Sequence, residues 1–178
     1  MDHPSRYALV EVENIHDDGL EFEPIHRVLF NVNRDFLNDF RQSMGNRVTI
    51  AHPKDQSDLV DQVNQKTENE HRFGVVISND FILIKISNPT FNLPAGTLQT
   101  FLDQWLRNGG AEKVDYVHGQ DVAFNLGSKS GNLGIYLPAM GKNELFKTVI
   151  KDGVLPRKTF SMGSANDKRF YMECRKIS

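Results

Sequence analysis

The sequence predicts an α+β fold, a mixed, largely antiparallel sheet with about five helices packed on it. Short runs of β-forming residues outnumber amphipathic stretches, hairpin signals sit towards both ends of the chain, and strands and helices do not alternate strictly. The 178 residues, 39% hydrophobic and 25% charged, suit a single domain spanning the whole chain, with enough apolar residues for a core.

"RYALVEVEN", Arg6 to Asn14, alternates apolar and polar residues and reads as a strand. "HDDG", His16 to Gly19, is a turn into a hairpin partner from Leu20 to Phe30. Pro24 has no N–H to donate, so it marks a bulge or the true start of that strand. Asn33 is placed to cap a helix ending at Met44, with Phe36, Leu37, Phe40 and Met44 on one face and Gly45 as its stop. A short strand, Arg47 to Ala51, precedes a weaker helix opened by Ser57 and carrying Leu59, Val60 and Val63. After a solvated loop from Lys66 to His71 comes the clearest hairpin, Arg72 to Ser87, turning at Asn79–Asp80.

The strongest helix follows. Leu98, Phe101, Leu102, Trp105 and Leu106 fall on one helical stripe and Gly109–Gly110 stops it, which places Trp105 in the core and not on a ligand platform. A strand from Lys113 to Gly119, a short helix from Gln120 to Leu126 and a strand over "LGIYLPAM" form the one stretch, Lys113 to Met140, able to make a parallel crossover. Asn143 then caps a helix expected to bury Leu145, Phe146, Val149 and Ile150, closed by Gly153. Two strands, around Lys158 to Met162 and Arg169 to Ile177, complete the order.

Several function classes are disfavoured. The net charge of -2 and the lack of aromatics interleaved with basic residues argue against nucleic-acid binding. No apolar run approaches the ~20 residues of a membrane helix, and no basic segment leads into an apolar stretch at Met1, so the expected location is cytoplasmic. The single Cys174 can make no internal disulfide and reads as a small core residue. The six histidines lack metal-ligand spacing, so no metal is expected, and no cofactor is identified. "GSKSG", Gly127 to Gly131, has lysine where a nucleophile elbow needs serine and lacks the approach of a phosphate loop. The acidic first 25 residues and the basic tail either neutralise one another or leave an anion-binding patch near the C-terminus.

Three segments carry the candidate chemistry. In "EFEPIHRVLF", His26 and Arg27 interrupt an otherwise apolar strand and point to opposite faces. A buried guanidinium needs a partner. It finds either an internal carboxylate (Glu11, Glu13 or Glu23) with backbone carbonyls, or an anionic ligand. "LPRKTFSM" offers Arg157, Lys158, Thr159 and Ser161, a planar fork, a point charge and two hydroxyls suited to an oxyanion, unless it is a solvated edge strand. His118 ends a strand before a helix, where it either meets a ligand or caps the helix. The candidate ligand-binding set is therefore Arg27, Arg157, Lys158, Thr159 and Ser161, with His26 and His118 as candidate acid–base groups because imidazole titrates near neutrality.

The segments "HPSRYALVEVENIHDDGLEFEPIHRVLF", "FGVVISND", "DYVHG", "IYLPAM" and "GVLPRKTFSMGSANDKRFYMECRKI" resemble, end to end, the C-terminal half of the uncharacterised bacterial family known as domain of unknown function 1015. The resemblance implies a longer protein of roughly twice this length, with a preceding half similar to ParB and sulfiredoxin-like nucleotide-handling folds. It also implies small-metabolite chemistry. The expectation is the C-terminal domain of a small-molecule enzyme, such as a nucleotide-dependent phosphotransferase, contributing an anion-binding site. The alternative is a non-catalytic binding or assembly module, with homo-oligomers formed through sheet edges.

Overall fold

The computed structural model describes residues 14–163. The expected first strand (Asn14 apart), the closing strand and Cys174 lie outside them. In chain order the described elements are β1 (Phe22–Val32), α1 (Phe36–Met44), β2 (Val48–Ala51), α2 (Gln56–Asn64), β3 (Glu70–Ile77), β4 (Asp80–Ser87), α3 (Pro94–Arg107), β5 (Ala111–His118), α4 (Gln120–Gly127), β6 (Leu133–Tyr136), α5 (Glu144–Asp152) and β7 (Phe160–Met162). The sheet order is β2-β4-β3-β6-β1-β5, with β7 beside the first residues of β1.

The fold is α+β, as its sequence predicts, and every hydrogen-bonded strand pair among the described residues is antiparallel. β5 and β6 both run antiparallel to β1, so they are parallel to each other with β1 inserted between them. This is the crossover expected over Lys113 to Met140, with α4 as its helix.

Alternation along the strands sorts the core into two layers. Leu29, Phe73, Val75, Ile84, Leu133 and Ile135 pack against Phe36 and Phe40 of α1 and against Leu98, Phe101, Leu102 and Trp105 of α3. On the opposite face, Val76, Leu83 and Tyr136 meet Leu59 and Val63 of α2 and Phe124 of α4. A smaller cluster of Phe22, Leu93 and Met140, joined by Leu145 and Phe160, lies outside both. Because helices cover both faces of β1, all five residues from Ile25 to Leu29 are buried.

Several local expectations shift. Asp35, not Asn33, caps α1 by accepting the Asn38 N–H at 3.1 Å, while the Asn33 N–H is held by the Gly110 carbonyl. Asp55, not Ser57, caps α2 in the same way, through the Asp58 N–H. The tight turn of the β3–β4 hairpin is Ser78–Asn79, since Ile77 pairs directly with Asp80, and Ser78 takes the left-handed conformation at φ 55. Pro24 lies inside β1 but opposite β7, and pairing with β5 begins at Ile25, so its missing N–H weakens no two-sided stretch of ladder. Trp105 is core, and its Nε1–H donates to Asp39 at 2.8 Å.

α5 departs furthest from expectation. Phe146 is 63% and Ile150 85% exposed, Val149 is exposed too, and Thr148 is the residue buried. Polar bonds set this rotation. Asn92 Nδ2–H donates to Thr148 Oγ1 at 2.6 Å, and the Asn92 N–H donates to Asp152 Oδ2 at 2.5 Å.

α4 lies almost on β6. A Cβ built on Gly134 would sit 2.4 Å from the Ala123 carbonyl oxygen, and one on Gly127 would sit 2.4 Å from the Gly134 nitrogen. The nearest atom on each side is backbone, with the Val76 side chain next, so neither position has room for a methyl group. Gly134→Ala is expected to destabilise the fold by about 2 kcal/mol or more, read as a lowered urea midpoint with unchanged slope.

Candidate functional site

The β1–β5 register sets Arg27 opposite Tyr116 and Ile25 opposite His118, on the α3 side of the sheet. Arg27 is wholly buried. Its guanidinium donates from Nη1 to the Ile25 carbonyl and from Nη2 to Gln99 Oε1 at 3.4 Å and the Arg157 carbonyl at 3.5 Å. Its Nε has no hydrogen-bond partner among the described residues. The group rests 5.3 Å from the Tyr116 ring centroid, and the Arg157 guanidinium lies 5.8 Å from the same ring. Asp103 receives Arg157 Nη2–H at 2.9 Å and Gln99 Nε2–H at 2.7 Å. One exposed carboxylate thus serves both cations, directly for Arg157 and through an amide for Arg27. Burial lowers the Arg27 pKa to about 10, which leaves it cationic at neutral pH.

His26 faces the other way. It stacks on Tyr136 at 4.7 Å, and its Nδ1 accepts the Leu137 N–H at 3.2 Å, which places the ring proton on Nε2. Desolvation first, then the charges of Arg27 and His118, push its pKa down to about 4. His118 lies 3.7 Å from Glu23, one of the acids expected to serve Arg27. Glu11 and Glu13 lie outside the described residues. Lys158 is exposed in a left-handed turn at φ 56, and Thr159 Oγ1–H donates to the Pro156 carbonyl at 2.6 Å. Ser161 is buried in β7 opposite Glu23. The fold therefore brings Arg27 and Arg157 together, with His118 at the next inward position along the sheet, and sends His26 to the opposite face.

Thr159 reaches a different place, a cleft of about 540 Å³. Its lining comes from the α2–β3 connection, the first turn of α3, the segment Leu137–Gly141 and α5. Leu93, Ala95, Leu137 and Met140 supply apolar surface. Among its charges, Arg72 is bound to Glu70 at 2.6 Å, and Glu144 accepts the Gly141 N–H at 2.9 Å. Lys66 and Lys147, also in the lining, have no acidic partner among the described residues. α3 begins here without a side-chain cap, since Leu93 stands at the capping position and Pro94 follows it. His71, also in the lining, is almost wholly buried with Nδ1 3.0 Å from Thr97 Oγ1, and desolvation pushes its pKa down to about 4. Among the described residues no group of three or more His, Cys, Asp or Glu could hold a metal, and no helix is long and apolar enough to cross a membrane.

The cleft was not legible in the sequence. Its walls come from four distant segments, and much of its polar surface belongs to residues of loops and helix ends.

Fold and site together define a small α+β protein with a ligand-sized cleft at the start of α3. The chain belongs to the family described as "Protein of unknown function (DUF1015)", whose model matches residues 1–105. Comparison with curated proteins returned no match, and comparison with solved structures returned none.

The two buried histidines make stability depend on pH. Each binds a proton near 6.5 when unfolded but only near 4 when folded. Between those values the unfolded chain holds more protons, so stability is complete above about pH 6.5 and falls as pH drops towards 4. By pH 5 the loss is about 2 kcal/mol per histidine. Urea titrations at pH 7.5 and 5 are expected to show this drop, and His26→Gln to remove about half of it.

Proposed function

We propose that this domain binds an anionic small molecule in the cleft formed by the α3 N-terminus, the Leu137–Gly141 segment and α5. The carrying observation is the cleft itself, a hollow of about 540 Å³ combining apolar surface with two lysines that have no acidic partner among the described residues. Its size falls within the range of about 300–1,000 Å³ typical of small-molecule sites. The uncapped start of α3 adds a partial positive charge. The Asn92–Thr148 bond sets the turn of α5 that bears Lys147 beside that helix end.

On this reading the Arg27–Tyr116–Arg157 cluster shapes the domain and is not the seat of the ligand, because Arg27 has no accessible surface. His26 and His71 are neutral at physiological pH and serve as structural hydrogen-bonding groups. His118, 3.7 Å from Glu23, does not line the cleft. Amide chemical-shift mapping with a library of small organic anions tests the assignment. Shifts are expected to concentrate at Ala95, Leu137–Gly141 and Lys147 and to vanish in Ala139→Trp, which fills the cleft from an exposed position. Hits that map elsewhere, or that survive Ala139→Trp, remove the cleft as the site.

The outward Phe146, Val149 and Ile150 of α5 favour a second reading, a non-catalytic assembly module. Light scattering of concentrated protein decides it. Self-association weakened by Ile150→Glu supports that reading, and a strict monomer sinks it.

A further inference from the structure

We infer that the ligand is an oxyanion with an aliphatic or polyol body, not a nucleotide; the inference rests on the cleft being the binding site. The shape and chemistry of the lining carry it. Leu93, Pro94, Ala95, Leu137, Pro138 and Met140 present aliphatic surface, and among the described residues the lining holds no Phe, Tyr or Trp and a single ring, that of His71. Nucleobase sites draw much of their affinity from stacking on aromatic rings or open guanidinium planes. The one guanidinium here, that of Arg72, is fixed in the wall. Its Nε–H donates to Glu70 at 2.6 Å, and its Nη1 donates to the Gln62 carbonyl at 3.1 Å and Gln65 Oε1 at 2.8 Å. Its edge is spent on the protein, so it is not free to swing over a base. The His71 ring is only 6% exposed and is held by Thr97, so it offers a base no open face.

The head of the ligand is assigned by charge. Glu70 is paired with Arg72, and Lys66 and Lys147 outnumber the one remaining carboxylate of the lining, Glu144, whose Oε2 accepts the Gly141 N–H. Lys147 stands one residue before Thr148, whose hydroxyl is tied to Asn92 just ahead of the uncapped α3. An ammonium and a helix start in one lining match the oxygens of a carboxylate or a phosphate. The aliphatic wall takes the rest of the molecule. A polyol body would use the neutral donors and acceptors of Asn64, Asn143 and Thr67 at the rim.

Calorimetry on the whole chain tests this with four probes, namely inorganic phosphate, ribose 5-phosphate, hexanoate and adenosine 5′-monophosphate. Saturable binding of ribose 5-phosphate or of hexanoate is expected, and which of the two binds identifies the head as phosphate or carboxylate. Lys147→Glu is expected to weaken it about tenfold or more, Ala139→Trp to abolish it, and adenosine monophosphate to bind no tighter than ribose 5-phosphate. Tenfold tighter binding of adenosine monophosphate, lost in Ala139→Trp, overturns the aliphatic class and leaves the cleft standing. Binding that ignores Ala139→Trp overturns both. Silence from all four probes, with small-anion shifts still mapping to the cleft, overturns the ligand class alone. Both variants lie at exposed positions, and matching thermal melts confirm that they fold.

Discussion

The fold depends on one strand that must be dry on both sides. β1 pairs with β5, β6 and β7, and helices close over both of its faces. Adjacent side chains on a strand point in opposite directions, so placing His26 next to Arg27 sends one polar group into each layer. Each layer answers in its own way. On the α4 side an imidazole gives up its charge and becomes an acceptor for the Leu137 N–H. On the α3 side a guanidinium keeps its charge and spreads it over carbonyls, an amide and an aromatic face. Removing an ion from water is costly, and neutral partners repay that only when several act together. The Ile25 and Arg157 carbonyls, the Gln99 amide and the Tyr116 ring are those partners, and with Asp103, which binds Gln99 and Arg157, they fix where α3 and the Pro156–Thr159 loop sit over the sheet.

The cleft follows from the same placement. β6 ends at Tyr136, and the next residue is held by His26, so the chain turns away there and becomes a wall. The opposite wall is the start of α3, which the His71–Thr97 contact ties to β3. Two buried imidazoles thus define the hollow from either side of the sheet without presenting a reactive face to it.

Much of this was readable in the residues, and the gaps have physical causes. The stripe of α3 was plain because Leu98, Phe101, Leu102 and Trp105 recur at helical spacing within a 14-residue helix that a glycine pair stops. The burial of His26 and Arg27 was also legible, since a run of β-formers on both sides implied a covered strand. The partners of Arg27 were not, because Gln99 is 72 and Arg157 130 positions away, and no local pattern encodes such contacts. Helix caps shifted by two residues because several polar residues competed, and geometry alone chose Asp35 and Asp55. α5 misled for a different reason. Periodicity shows that a helix has an apolar face, but not which way that face is turned.

That turn has a consequence for how the domain breathes. α5 is fastened mainly by Leu145 and by the bonds of Thr148 and Asp152 to Asn92, while its greasiest residues gain nothing from the interior. A segment so lightly anchored opens at a lower free energy than the sheet it leans on. Amide hydrogens there should trade with solvent well before those of β1 or β3. A guest would then enter by a hinged jamb, without the core having to loosen.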